Sequence, residues 1–349
     1  MLRLSVLDQS PIPSGATSVD ALHATLDLAE AADRLGFHRY WLAEHHSFQA
    51  LAGTAPEILI SQVAARTTRI RVGAGGVMLP HYSALKVAES FRMLQALFGD
   101  RIDLGIGRAP GSDQLTAAAL RSGGAPATAA QFPEQVAELL GFLHGALPAD
   151  HPFSRIRVMP EAPVAPDVWL LGSSGDGAAY AAYFGLPYSY AHFISPRGGP
   201  QQIGAYKERF QAGPSRSAPE ASMCVSAICA DSDAEAQRLA ASVRLWRLRL
   251  ERGDPGPIPS VEEAESHQYT PAEEARMMDL ATRFTVGAPE HVAERLSQLA
   301  HTHGVSEVLV VTICHDFAAR IRSYELIADV FRLGASADDA QPAASVPTC

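Results

Sequence analysis

Residues 168–193 read VWLLGSSGDGAAYAAYFGLPYSYAHF. An apolar run at 168–171 leads into a loop of glycine and serine and then into an alanine-rich segment that ends at Phe184. A second run rich in aromatic residues follows at 188–193. Short apolar runs bounded by glycine are typical of buried strands, and alanine favours helix. The stretch therefore predicts a strand, a helix and a second strand, which is the repeating unit of parallel sheets.

The same unit recurs along the chain. Predicted strands cover residues 2–7, 39–43, 69–77, 102–107, 168–171, 188–193, 223–230 and 306–313, and we expect a helix after each. Eight such units close into a barrel more readily than into an open sheet. Because no linker interrupts the alternation, the sequence predicts a single-domain α/β fold, a (β/α)8 TIM barrel, over residues 1–334.

Two segments depart from this alternation. Residues 253–271 are rich in proline, glycine and acidic side chains. A loop of this length inside a compact domain is usually functional, so we predict a mobile lid inserted before the last βα unit. Residues 335–349 consist largely of alanine, serine, proline and aspartate, and this composition predicts a disordered C-terminal tail.

The composition narrows the classes of partner. The chain has 349 residues and a formal net charge of −10, which disfavours nucleic acid or an anionic membrane as a partner. No apolar run has the length of a signal peptide or a membrane span, so a cytoplasmic protein is expected. The four cysteines form no CxxC pair and are expected to be free thiols, without a metal site. A small molecule is the expected ligand.

Active sites of such barrels lie at the carboxyl ends of the strands, where this chain places polar residues and glycines. Glu44, His45 and His46 follow the second predicted strand. A histidine there can act as general acid or base near neutral pH. Adjacent side chains point in different directions, so one histidine is expected to face the site and the other outward. There are two alternatives to this catalytic reading: the histidines have structural roles, or they bind a metal.

An anion site is predicted by two further features. Arg108 follows a glycine-rich strand, and a guanidinium suits phosphate. Residues 172–177, GSSGDG, open a helix directly after a strand, where N–H groups and the helix dipole favour an anion. An ordinary turn explains each feature alone, but together they favour a cofactor that carries phosphate. A Rossmann reading fails, because the glycines at 105–111 have one residue too many and Pro110 stands where the helix should open.

Several segments resemble the bacterial luciferase-like flavin monooxygenases. These are WLAEHH at 41–46, VGAGGVMLP at 72–80, RIDLGIGR at 101–108, FGLP at 184–187 and TVGAPE at 285–290. They occur in that family's order, from residue 2 to about residue 331. The resemblance implies a barrel that binds reduced FMN, activates O2 at the flavin C4a and oxygenates a small organic substrate. It also implies a separate flavin reductase, a homodimer formed through barrel helices, and a mobile lid at 253–271.

The resemblance also implies roles for individual residues. His45 is expected to be catalytic beside the flavin ring, and Arg108 to bind the FMN phosphate. Gly75 and Gly76 match a pair, often joined by a cis bond, that lies against the isoalloxazine, and His192 takes the place of an aromatic residue that packs on the flavin. The expected cofactor contacts are Glu44, Gly75, Gly76, Arg108, Ser173, Ser174, Gly177 and His192.

Two departures from luciferase itself argue against light emission. Gly107 stands where luciferase has a reactive cysteine, and Ser173 stands where it has glutamate. The chain is therefore similar to non-luminous members. Two other functions remain open: hydride transfer with a deazaflavin on the same barrel, and flavin binding without turnover.

Overall fold

A computed structural model describes residues 2–109, 113–120, 131–161, 164–213, 216–254 and 256–334. The tail predicted at 335–349 lies outside the described residues. None of the described helices is long and apolar enough to cross a membrane.

The described strands form one parallel sheet that closes on itself. Strands β1 to β7 pair in chain order, β7 then pairs with β9, and β9 pairs with β1. The predicted eight-stranded TIM barrel is therefore confirmed. The strands are β1 (Arg3–Asp8), β2 (Arg39–Leu42), β3 (Arg71–Met78), β4 (Ile102–Gly107), β5 (Asp167–Gly172), β6 (Tyr188–Ala191), β7 (Ala221–Cys229), β8 (Phe284–Gly287) and β9 (Glu307–Val311).

Strand β8 was not predicted from the sequence. It pairs with β7 at positions 226–229, beyond the positions 221–224 that pair with β6. β8 thus extends the sheet above the end of β6 and takes no part in closing the barrel. Four residues beside a single partner strand are too short for a periodic pattern to be recognised.

Helices surround the barrel. The first begins at a capping box in which Thr17 and Asp20 satisfy each other's backbone N–H groups, and it ends at Gly36 with a left-handed φ of 87°. The helices are α1 (Ser18–Leu35), α2 (Pro56–Arg66), α3 (Ala84–Phe98), α4 (Gln114–Leu120), α5 (Phe132–His144), α6 (Gly175–Phe184), α7 (Gly199–Arg209), α8 (Asp233–Glu251), α9 (Val261–Ser266), α10 (Pro271–Ala281), α11 (Pro289–His303) and α12 (Phe317–Phe331).

Buried charges occupy the barrel interior near the amino ends of the strands. Arg39 donates to Glu307 at 2.6 Å and to Asp103 at 2.7 Å. Asp103 also accepts from the indole Nε1 of Trp41 at 2.9 Å, and the Arg39 guanidinium lies 4.7 Å from the ring centroid of Trp169. These side chains fill the barrel interior at its amino end.

The segment 253–271 lies against the loop after β1. The N–H of Ile258 donates to the carbonyl of Ile12 at 2.9 Å, and the N–H of Ser14 donates to the carbonyl of Ile258 at 2.8 Å. Helix α9 lies within the segment, where the sequence predicted only a loop, because Ser260 caps it by accepting from the N–H of Glu263. The segment is docked in this structure, and its opening as a lid stays a prediction.

Candidate functional site

A cavity of about 350 Å³ opens among the carboxyl ends of the strands. Its lining is mostly apolar, with backbone and hydroxyl groups at one end. Such a cavity is the usual form of a site for a cofactor or small molecule. Among the residues that line it are six of the predicted site residues, namely Gly75, Gly76, Arg108, Ser173, Ser174 and Gly177.

The glycine pair at the end of β3 forms one wall of the cavity. The peptide bond between Gly75 and Gly76 is cis. A Cβ atom on Gly75 would lie 2.6 Å from Cδ1 of Leu7 and 2.9 Å from Cβ of Trp41, and one on Gly76 would lie 2.7 Å from the carbonyl oxygen of Gly105. Only glycine fits such close packing, so this wall is backbone with no side chain and can accept a flat ring.

The second end of the cavity is polar. Ser173 and Ser174 line it immediately before α6, and the Ser174 side chain makes no capping hydrogen bond within the described chain. The first N–H groups of a helix have no partner in the helix itself, and its dipole favours an anion there. Nη1 of Arg108 lies 2.8 Å from Oδ2 of Asp176 in the first turn of the same helix. A guanidinium, free N–H groups and hydroxyls together fit a phosphate group.

Glu44 does not line the cavity. Its carboxylate is fully buried and accepts hydrogen bonds from the N–H of Met78 at 3.0 Å, the hydroxyl of Tyr82 at 2.7 Å and Nε2 of His46 at 2.8 Å. The predicted direct contact with a cofactor is therefore not what this geometry provides. Side chains alternate along β2 and just beyond it, and Trp41 faces the cavity, so the side chain at position 44 points away.

His45 and His46 follow β2, and neither is among the residues that line the cavity, so the prediction that one of them faces the site stays a prediction. His46 bonds to Glu44 on the outer side. The His45 ring lies 6.0 Å from the ring of Phe48, and its Nδ1 is buried without a hydrogen-bond partner among the described residues. Burial first, and the charge of Arg247 second, lower the pKa of His45 to about 4. The imidazole is therefore neutral near pH 7, with one ring nitrogen free to exchange a proton.

His192 also points away from the cavity, which differs from the sequence prediction that it packs on a flavin. Its ring packs edge-on against His303 of α11, with ring centroids 5.5 Å apart. Ala191 and Phe193, on either side of it, line the cavity. The alternation of β6, in which Ser189 also faces inward, continues one step past the strand and places His192 on the helix side.

Several cavity residues were not predicted from the sequence. Trp41, Tyr180 and Phe193 line the cavity, as does the buried thiol of Cys224, whose pKa burial raises well above the usual value. Large apolar residues in strands are usually core, and only their inward position on the barrel distinguishes them. No group of three or more His, Cys, Asp or Glu side chains within the described ranges could hold a metal ion.

The comparisons with known proteins agree with this geometry. The family model described as luciferase-like monooxygenase matches residues 2–307. Uncharacterized protein YwcH of Bacillus subtilis (strain 168) is 45% identical over 95% of this chain and 99% of its own length. Luciferase-like monooxygenase of Escherichia coli (strain K12) is 37% identical over 94% of this chain and 97% of its own. N-acetyl-S-alkylcysteine monooxygenase of Bacillus subtilis (strain 168) is 36% identical over 94% of this chain and 98% of its own length.

Solved structures share the fold. Apo-MsnO8 has a TM-score of 0.87 at 40% identity, covering 95% of this chain and 99% of that one. The FMN complex of the oxygenating constituent of 3,6-diketocamphane monooxygenase from Pseudomonas putida has a TM-score of 0.66 at 18% identity, over 94% and 97%. An F420-dependent secondary alcohol dehydrogenase has a TM-score of 0.69 at 13% identity, covering 94% of this chain and 98% of that one. The last two show the fold alone. This chain belongs to the luciferase-like monooxygenase family.

Proposed function

We propose that the protein is a monooxygenase that uses reduced FMN and O2 to oxygenate a small organic substrate. One observation carries the proposal: a backbone wall at Gly75 and Gly76 and a phosphate-binding end at Arg108 and Ser174 line the same cavity. Isoalloxazine and phosphate are the two parts of FMN that such surfaces recognise. The names of the monooxygenase relatives support the same reaction class.

The residues present divide the work of holding FMN. Arg108 and the start of α6 would bind the phosphate, and the glycine pair would lie against the ring system. Bound reduced FMN would supply the electrons and the carbon at which O2 is activated. Trp41 and Phe193, on the apolar lining, would exclude water from the reacting atoms.

His45 is the proposed proton carrier. Because its pKa is lowered to about 4, the ring is neutral at neutral pH and can accept a proton, then return it, without a standing charge. Its unpartnered Nδ1 is the atom assigned to this transfer. His46, whose Nε2 is held by Glu44, is assigned to structure.

The rival function is hydride transfer with a deazaflavin, as in the fold-level neighbour named for F420. Both cofactors offer a flat ring and a phosphate, so the cavity accommodates either. Flavin binding without turnover is the second rival, and the neutral, unpartnered His45 favours turnover over simple carriage. We further propose that a separate reductase supplies the reduced flavin.

The proposal is tested by anaerobic titration of FMNH2 into the protein and into Arg108→Ala. A lost charge-assisted hydrogen bond costs about 1.5–3 kcal/mol, which weakens affinity by about 10- to 100-fold. Arg157→Ala, which removes a guanidinium that is 85% exposed and not among the cavity-lining residues, is the matched control. Unchanged FMNH2 affinity in Arg108→Ala, or tighter binding of a deazaflavin than of FMNH2, would refute the assignment.

A further inference from the structure

Arg247 of α8 carries a charge that nothing in the described chain neutralises. Its side chain is partly buried, and its Cζ lies 5.2 Å from the centroid of the Trp246 ring. Among the described residues it forms neither a hydrogen bond nor an ion pair. Burial lowers the pKa of this guanidinium to about 10. Charges inside proteins are normally paired because desolvation is costly, so a partly buried guanidinium without a partner among the described residues indicates a partner that is not part of the chain.

The neighbouring charges do not supply that partner. Glu251 lies one helical turn away, but its two carboxylate oxygens are both bound by Arg276, each at 2.6 Å. The positive charge of Arg283 lies close enough to repel that of Arg247. Arg247 in turn disfavours the charged form of His45. Among the described residues, the carboxylate that attracts Arg247 is therefore already paired with Arg276.

This positive group adjoins the cavity. The Phe48 ring lies 6.0 Å from the ring of His45 and 6.3 Å from that of Trp246. Phe48 and Trp246 belong to the apolar cluster that also contains Trp41 and Phe193, and those two line the cavity. One packed apolar cluster thus extends from the cavity wall at Trp41 and Phe193 to Trp246, over whose ring the guanidinium lies.

We propose that Arg247 binds the carboxylate of an amphipathic substrate whose apolar part lies in the cavity. The inference rests on the proposed function for what happens to the apolar part. A guanidinium stacked on an indole face keeps its edge N–H groups free, and these match a carboxylate in bidentate geometry. Since His45 is neutral, Arg247 is the cation that selects the acid over a neutral analogue.

The test compares butanoate, hexanoate, octanoate and decanoate with their primary amides. Binding is measured by calorimetry, with and without FMN, to the wild-type protein and to Arg247→Gln, Arg247→Lys and Arg238→Gln. Arg238 lies on the same helix but pairs with Glu235 at the surface, so it controls for loss of one positive charge. We expect the wild type to prefer acid over amide by about tenfold or more. Arg247→Gln should abolish the preference, Arg247→Lys should keep part of it, and Arg238→Gln should leave it intact.

Thermal unfolding separates this role from a structural one. Replacing an unpaired buried charge by a neutral group removes a desolvation cost, so Arg247→Gln should be at least as stable as the wild type. Equal binding of acids and amides by the wild type, or an unchanged preference in Arg247→Gln, would overturn the inference even if FMN binds. An acid preference that depends on Arg247 in a protein that binds no FMN would keep the anion site and reject the proposed function.

Discussion

The buried carboxylate of Glu44 accepts a hydrogen bond of 3.0 Å from the backbone N–H of Met78, two residues past Gly76. The same carboxylate accepts from Tyr82 and His46. Glu44 therefore fixes the position of the end of β3 from behind, and the glycine wall of the cavity depends on a residue that does not touch the cavity. Its role is to position backbone.

Glu44→Gln tests this positioning role. The amide offers one acceptor oxygen in place of two, so at least one of the three donors is left unsatisfied, at a cost of about 1–3 kcal/mol. We expect a lower unfolding temperature together with weaker FMN binding. Glu30→Gln, which breaks a partly exposed pair with Arg66, should change neither quantity appreciably. If Glu44→Gln were destabilised but bound FMN with unaltered affinity, Glu44 would stabilise the fold without positioning the cavity wall.

We expect Asp176 to compete with a bound phosphate for Arg108. The two side chains lie 2.8 Å apart at the start of α6, where we place the phosphate. We expect Asp176→Asn to tighten FMN binding by up to about fivefold, since exposed pairs are worth about 0.2–1 kcal/mol. Riboflavin, which has no phosphate, should bind equally well to both proteins. Fluorescence titration checks this, and parallel changes for FMN and riboflavin would contradict the placement of the phosphate.

Stability should fall as the solution is acidified below about pH 6.5. Burial lowers the pKa values of His45 and His192 from 6.5 to about 4, and it lowers that of His303 as well. Between these pH values the unfolded chain binds protons that the folded chain does not, so the free energy of unfolding rises with pH. The loss begins as the pH falls through the unfolded-state value and is complete below the folded-state value.

His192→Phe should make this pH dependence shallower, because one group that titrates only on unfolding is removed. Urea unfolding of the variant and the wild type between pH 7 and pH 5 measures the slopes. Met278→Phe, at an exposed position on α10 that carries no titratable group, is the control and should leave the slope alone. Identical slopes for His192→Phe and the wild type would show that His192 titrates normally in the folded protein.

We expect the protein to form a homodimer through α2 and α3. Three large apolar side chains on these adjacent helices are exposed, Ile58 at 63%, Met93 at 55% and Leu97 at 67%, and exposed apolar surface of this kind marks contact sites. Leu97→Asp should shift the mass measured by light scattering from dimer to monomer. Val19→Asp, at an equally exposed position on α1, should not. A monomeric wild type would contradict the expectation.

The barrel could be predicted from the sequence because its evidence is local. Each barrel strand is a short apolar run next to a helix signal, and the closure follows from their number. Strand β8 was not predicted because it is defined by pairing with the far end of β7, which the sequence does not reveal. Helix α9 was not predicted because the prolines and glycines near it indicate a loop more strongly than Ser260 indicates a helix start.

Most of the predicted residues that line the cavity contribute backbone to it. Gly75, Gly76 and Ser174 lie there at a strand end or before a helix, and residue type and order indicate such positions directly. Glu44 and His192 were predicted as cofactor contacts but are not among the lining residues, because side-chain direction depends on how far strand alternation continues past a strand end. Arg247 gave no signal at all, since an arginine on a helix is ordinary until its lack of a partner is seen in three dimensions.

Oxygen uptake after FMNH2 is mixed with aerated buffer shows whether this cavity supports oxygen-activating flavin chemistry. We expect saturating protein to change the rate of flavin reoxidation from that of free FMNH2, and Arg108→Ala to restore the free-flavin rate under the same conditions. Reoxidation that is indistinguishable from free FMNH2, with and without a carboxylate ligand present, would contradict the assignment of this cavity to oxygen-activating flavin chemistry.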